Sequence, residues 1–87
     1  MKSVITVVGK DKTGIIARVS NVLYENGINI LDISQTIMDD MFTMIMMVDM
    51  SNALHKTIAG ELEKIADEMG LSIHLQNEEV FRSMHRI

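Results

Sequence analysis

"INILDISQTIMDDMFTMIMMVDM", residues 28–50, holds two apolar, extended runs on either side of Asp39-Asp40. A short polar pair between two such runs marks a chain reversal, so the stretch reads as an antiparallel hairpin with strands over 28–38 and 41–50. The second run is apolar on both parities, with Phe42, Met44, Met46 and Val48 on one and Met41, Ile45 and Met47 on the other. A strand of that kind belongs inside a sheet, with both faces covered.

Each flank of the hairpin carries one helix and one strand. Upstream, "SVITVVG" (3–9) is rich in β-branched residues and stops at a glycine, as a short buried strand does. Thr13 offers a hydroxyl cap, after which Ile15, Ile16, Val19, Val22 and Leu23 recur at helical spacing until Gly27. Downstream, Leu54, Ile58, Leu62, Ile65, Ala66 and Met69 form one helical stripe that Gly70 closes. "LSIHLQ" (71–76) then alternates as a last strand. Asn77 can cap a terminal helix with Glu78 and Glu79 in its first turn and His85 and Arg86 in its last. Val80, Phe81, Met84 and Ile87 would be its apolar face.

The order is β-α-β-β-α-β plus a helix, two split β-α-β halves. It predicts an α+β, ferredoxin-like sandwich: a four-stranded antiparallel sheet, two helices on one face and an extra C-terminal helix. The first and third strands are central and the second and fourth are edges. Residues 1–76 form the domain, and residues 77–87 a helix that docks on it or on a dimer partner.

The chain has 87 residues, 47% of them hydrophobic and 23% charged. A domain this small buries only about 60% of the surface its unfolded chain exposes, so part of that apolar content is expected to face a second copy. A net charge of -4 gives no attraction to nucleic acid or to an anionic membrane. The absence of cysteine excludes disulfides, thiolate metal sites and a cysteine nucleophile. "MKSVITVVGK" is too short an apolar run for a signal peptide, and nothing later reaches membrane-spanning length, so a cytoplasmic protein is expected.

Few of the functions this fold supports survive the residues. Gly9 and Gly14 are spaced like the glycines of a phosphate-binding loop, but Ile15 and Ile16 stand where its lysine and hydroxyl belong. An RNA-recognition surface would need aromatics on the third strand, which offers Phe42 among methionines. A copper chaperone needs a cysteine pair. An acylphosphatase-like hydrolase needs an arginine in a phosphate cradle; "GKDKTG" (9–14) has none, and Arg18 falls inside the helix, which leaves that enzyme a remote alternative. His55, His74 and His85 with Asp32 and Asp49 lack metal-ligand spacing, so no metal or other cofactor is expected. The methionines read as core or interface packing. The loop of Lys10, Asp11, Lys12 and Thr13 leads into a helix N-terminus whose free N–H groups can receive a carboxylate. The plainer reading of the residues is that Asp11 or Thr13 caps the helix and the lysines are solvated.

In "GKDKTGIIARVSNVLYENGINILDISQ" (9–35) the chain resembles the ACT domain, a small-molecule-sensing module. The shared pattern is Asp11, Gly14 and Ile15 in a D-x-x-G-I turn, then Ile16, Val19 and Leu23 in the helix, then Gly27, Asn29 and Ile30 leading into the second strand. It is most similar to free-standing ACT proteins and to the N-terminal modules of the glycine-cleavage-repressor and formyltetrahydrofolate-deformylase type. The resemblance implies a non-enzymatic regulatory module. It would bind an amino acid or related metabolite through Asp11, Thr13, Gly14, Ile15, Asn29 and Ile30, where two modules meet, and act on a separate protein. The alternative is a dimeric interaction adaptor without ligand. Two copies could join edge to edge through residues 28–38 and the first helix, or face to face across their sheets.

Overall fold

The computed structural model describes residues 2–50 and 53–84. Its elements are β1 (Lys2–Lys10), α1 (Ile15–Glu25), β2 (Asn29–Met38), β3 (Met41–Asp49), α2 (His55–Met69), β4 (Leu71–Asn77) and α3 (Glu78–Met84). The four strands form one sheet in the order β2-β3-β1-β4, every neighbouring pair antiparallel. This is the ferredoxin-like arrangement, with β1 and β3 central and β2 and β4 at the edges.

The alternation of side chains along a strand decides which residues meet the helices. Ile5 and Val7 of β1 and Phe42, Met44, Met46 and Val48 of β3 point to the face that α1 and α2 cover. There they pack with Ile15, Val19 and Leu23 of α1 and Ile58, Leu62 and Ile65 of α2 in one buried cluster. Met44 and Met46 are fully buried, as adaptable fillers between helix and sheet. Gly9 has a packing reason, since a Cβ there would stand 2.6 Å from Leu71 Cδ2 and 3.4 Å from the Gly70 carbonyl oxygen. A side chain at this position would push β4 away from β1.

Three of the four helix ends read from the sequence follow the pattern, Gly27 among them, just past the end of α1 at φ 68°. Gly70 closes α2 at φ 68°, in the left-handed region, and the Asn77 carboxamide oxygen accepts the Glu79 N–H at 2.8 Å to open α3. Thr13, however, does not cap α1. The N-cap residue is Gly14, at φ 94° and ψ 0°, and among the described residues no side chain caps the open N–H groups. Leu54 is also displaced from its expected role: it stands at the N-cap of α2, 71% exposed, instead of on the buried stripe.

The opposite face of the sheet is only partly covered, contrary to the expectation for β3. α3 crosses β1 and β4, buries Val4 and brings Phe81 beside Ile45 and Met47, while the Gln76 side-chain amide donates to Met84 Sδ at 3.2 Å. It does not extend over the hairpin, so Met41 and Ile45 remain exposed. Val80 and Met84 are exposed as well, so the expected apolar stripe is engaged chiefly through Phe81. His85, Arg86 and Ile87 lie outside the described residues. Along β2 every residue but Ile30 is exposed, including Leu31, Ile33, Ile37 and Met38. Its ladder shifts register at Leu31, between Ile30 and Asp32.

Candidate functional site

The loop between β1 and α1 is held at both ends. Asp11 N–H donates to the Asp40 carbonyl at 2.7 Å, which ties the loop to the β2–β3 turn, where Asp39 sits at φ 59°. Lys12 Nζ donates to the Met69 carbonyl at 2.5 Å, so its charge lies on the C-terminal end of α2, where the helix dipole favours a cation. That lysine was read as solvated. Its partner is 57 residues away, and no local pattern announces it.

Gly14 then turns into α1, its carbonyl accepting the Arg18 N–H at 2.9 Å. The N–H groups of the first turn have no intrahelical partner, and among the described residues no side chain caps them. They open beside a cleft of about 210 Å³ lined by Asp11, Lys12, Gly14, Ile15, Ile16, Ala17, Gln35, Ile37 and Phe42. Cavities for drug-sized ligands run to roughly 300–1,000 Å³, so this one suits something smaller.

Of the six residues expected to bind ligand, Asp11, Gly14 and Ile15 line this cleft. Thr13 is exposed beside it and is not among the lining residues. Asn29 and Ile30 lie elsewhere. Asn29 pairs with Asp49 and so stands at the end of the sheet where β1 begins, while Lys10 and the loop lie at the hairpin end beside Met41. The eight steps from Asn29 to Ile37 span about 26 Å at the usual rise of ~3.3 Å per strand residue. Ile30 packs against the core. Within one chain, the second-strand entry therefore does not meet the loop. Gln35 and Ile37, from the far half of β2, take that place, and nothing in the D-x-x-G-I pattern points to them.

A larger groove of about 620 Å³ runs between α1 and α2 on the outer surface, lined by Ala17, Arg18, Asn21, Val22, Glu61, Lys64, Ile65 and Glu68. Its charges engage one another. Arg18 forms an ion pair with Glu68, and the Asn26 side-chain amide donates to Glu61 at 2.9 Å. The hydrogen bond and the charge of Arg18, with help from Lys64, hold the Glu68 carboxyl below its ordinary pKa against a small cost of desolvation. These contacts link the helices. They also turn Arg18 away from the β1–α1 loop, where a phosphate cradle would need it.

Among the described residues, no three of His, Cys, Asp and Glu stand together as metal ligands. His74 bonds Ser72 Oγ through Nε2 at 3.1 Å, and the Asp32 carboxylate accepts the Ile33 N–H at 2.9 Å beside the register shift. Among the same residues no helix is long and apolar enough to cross a membrane.

Comparison with known proteins agrees with this architecture. The family model for the ACT domain matches residues 3–76. A UPF0237 protein of Methanocaldococcus jannaschii is 55% identical over 86 residues, covering 97% of this chain and 96% of its own. The solved structure of an ACT domain protein from Streptococcus pneumoniae superposes with a TM-score of 0.79 at 43% identity over 93% of each chain. The regulatory subunit of aspartate kinase from Thermus thermophilus superposes with a TM-score of 0.69 at 27% identity, over 86% of this chain and 50% of that one.

Proposed function

The chain belongs to the ACT domain family, and on that premise we propose that it is a regulatory module that binds a free amino acid and acts on a separate cytoplasmic protein, without catalysis of its own. The observation that carries this reading is the uncapped N-terminus of α1, opening with Asp11 onto a small cleft. A ligand carboxylate accepts hydrogen bonds from the first-turn N–H groups, which the helix dipole strengthens. The Asp11 carboxylate faces the ligand ammonium. Asp11, Gly14, Ile15 and, at the rim, Thr13 are the contacts within one chain. The relationship to a regulatory subunit of an amino-acid kinase supports the same class of ligand.

A second copy supplies the remaining contacts. β2 is an exposed edge, and two such edges joined antiparallel about a two-fold axis run in opposite directions. The start of one β2 then lies beside the end of the other. That pairing brings Asn29 and Ile30 of the second copy toward Gln35 and Ile37 of the first, closing the 26 Å that separates them in one chain. It also covers Leu31 and Ile33, whose exposure favours an edge-to-edge dimer over a face-to-face one, and leaves Ile37 in the cleft.

Isothermal calorimetry across the common amino acids is the test. Binding of at least one at micromolar to millimolar Kd, weakened about fivefold or more by Asn29→Ala, supports the reading, because an unpaired buried partner costs roughly 1–3 kcal/mol. If no amino acid binds or shifts the thermal midpoint while the protein sediments as a dimer, the adaptor reading replaces it. Tight binding of a nucleoside triphosphate, or turnover of an acyl phosphate, would overturn both.

A further inference from the structure

Beyond its polar end, the cleft at the β1–α1 loop has a second half that is apolar. Ile16 of α1 and Ile37 of β2 are 39% and 50% exposed, yet both line this one cleft, together with the ring of Phe42, which is 2% exposed. Asp11 is its one carboxylate and Lys12 its one basic lining residue. Lys12 Nζ is drawn to the Met69 carbonyl at 2.5 Å, so the one cation of the cleft is held at the C-terminal end of α2. Gln35 adds a neutral amide.

From this division of charge we infer that the amino acid bound here carries an uncharged aliphatic side chain of valine-to-leucine size, laid against Ile16, Ile37 and Phe42. The inference rests on the proposed amino-acid site and adds its selectivity. An acidic side chain would be repelled by Asp11 and would have to compete with the Met69 carbonyl and the α2 dipole for Lys12. A basic one would compete with the ligand's own ammonium for that single carboxylate. A serine-like side chain would leave the isoleucines in water. With the ligand backbone also inside about 210 Å³, an indole is the poorest fit among the common side chains. An aliphatic chain gains by removing the exposed parts of Ile16 and Ile37 from solvent, at no cost in buried charge.

The experiment is calorimetric titration of the full chain with leucine, valine, norvaline, α-aminobutyrate, alanine, serine, glutamate, lysine and tryptophan, repeated on Ile16→Ser and Ile37→Ser. Leucine, valine and norvaline should bind tightest, and affinity should fall about fourfold for each methylene removed from norvaline through α-aminobutyrate to alanine. Each serine variant should weaken leucine tenfold or more and leave alanine within about twofold; both positions are part-exposed, so folding does not depend on them. Glutamate, lysine, serine or tryptophan as the tightest ligand would overturn the selectivity while leaving the site standing. So would leucine affinity indifferent to both substitutions. Binding of none of the nine would overturn the selectivity and the site together.

Discussion

Substitution of Gly14 isolates a backbone effect from a steric one. Its φ of 94° lies where L side chains rarely go, yet a Cβ built there meets no atom within 4 Å. Any loss of stability must therefore come from the backbone. Placing an L residue in the left-handed region costs about 1–2 kcal/mol, and the reduced freedom of the unfolded chain returns about 0.4–1 kcal/mol. The net for Gly14→Ala is then about 0–1.6 kcal/mol, a fall in Tm of up to roughly 13 °C for a domain of this size. Asn tolerates positive φ and should cost less than Ala, whereas the β-branched Val should cost more. A chain of this length has of order 4–13 kcal/mol of stability, so all three variants should still fold. Equilibrium urea unfolding at constant m-value reads the order directly. An Ala variant more stable than the wild type, or an Asn variant as costly as Val, would refute the argument that Gly14 is required for its φ.

Lys12→Met removes the charged bond to the Met69 carbonyl and should destabilise by about 1–2 kcal/mol in the same urea assay. Arg18→Ala should return the Glu68 carboxyl upward to its ordinary pKa, followed by NMR titration of Glu68. The folded value is depressed, so the stabilisation from this pair is complete above the unfolded carboxylate pKa of 4.5 and is lost as pH falls through the folded value. The Arg18→Ala variant should accordingly lose less stability on acidification below that pH than the wild type; both groups are part-exposed and the effect should shrink in salt. Deleting residues 78–87 removes Phe81 from the sheet and exposes Val4, and should lower Tm by roughly 4–12 °C on the basis of one buried aliphatic side chain, ~1–1.5 kcal/mol. Ile33→Lys places a charge on the β2 edge and should convert a dimer to a monomer by sedimentation at micromolar concentration without unfolding the chain.

Much of the fold was legible because its signals are local. The β-branched run before Gly9, the stripe of Ile58, Leu62 and Ile65, and Asp39-Asp40 between two apolar runs each announce an element through period or turn chemistry that neighbours in sequence carry. The site was only half legible. Asp11, Gly14 and Ile15 belong to one turn and were found together. Gln35 and Ile37 reach the same cleft only because β2 pairs with β3 in one register, a fact set by tertiary structure. Lys12 looked solvated because the α2 carbonyl that holds it is a tertiary partner. Thr13 misled for a different reason: a hydroxyl can cap, but a glycine at positive φ starts the helix by conformation alone.

β2 runs from Asn29 to Met38 without a lysine, an arginine or a proline, the residues by which proteins ordinarily blunt an outer strand. What it has instead is one register shift at Leu31 and the charge of Asp32 beside it, both near its beginning, so the remaining stretch to Met38 presents its row of peptide groups to whatever strand arrives. The identity of that strand is then a matter of abundance and of timing during synthesis. At low copy number the nearest complementary edge is a foreign chain and the hazard is co-aggregation. At high copy number it is a sister chain, and crowding becomes a protection.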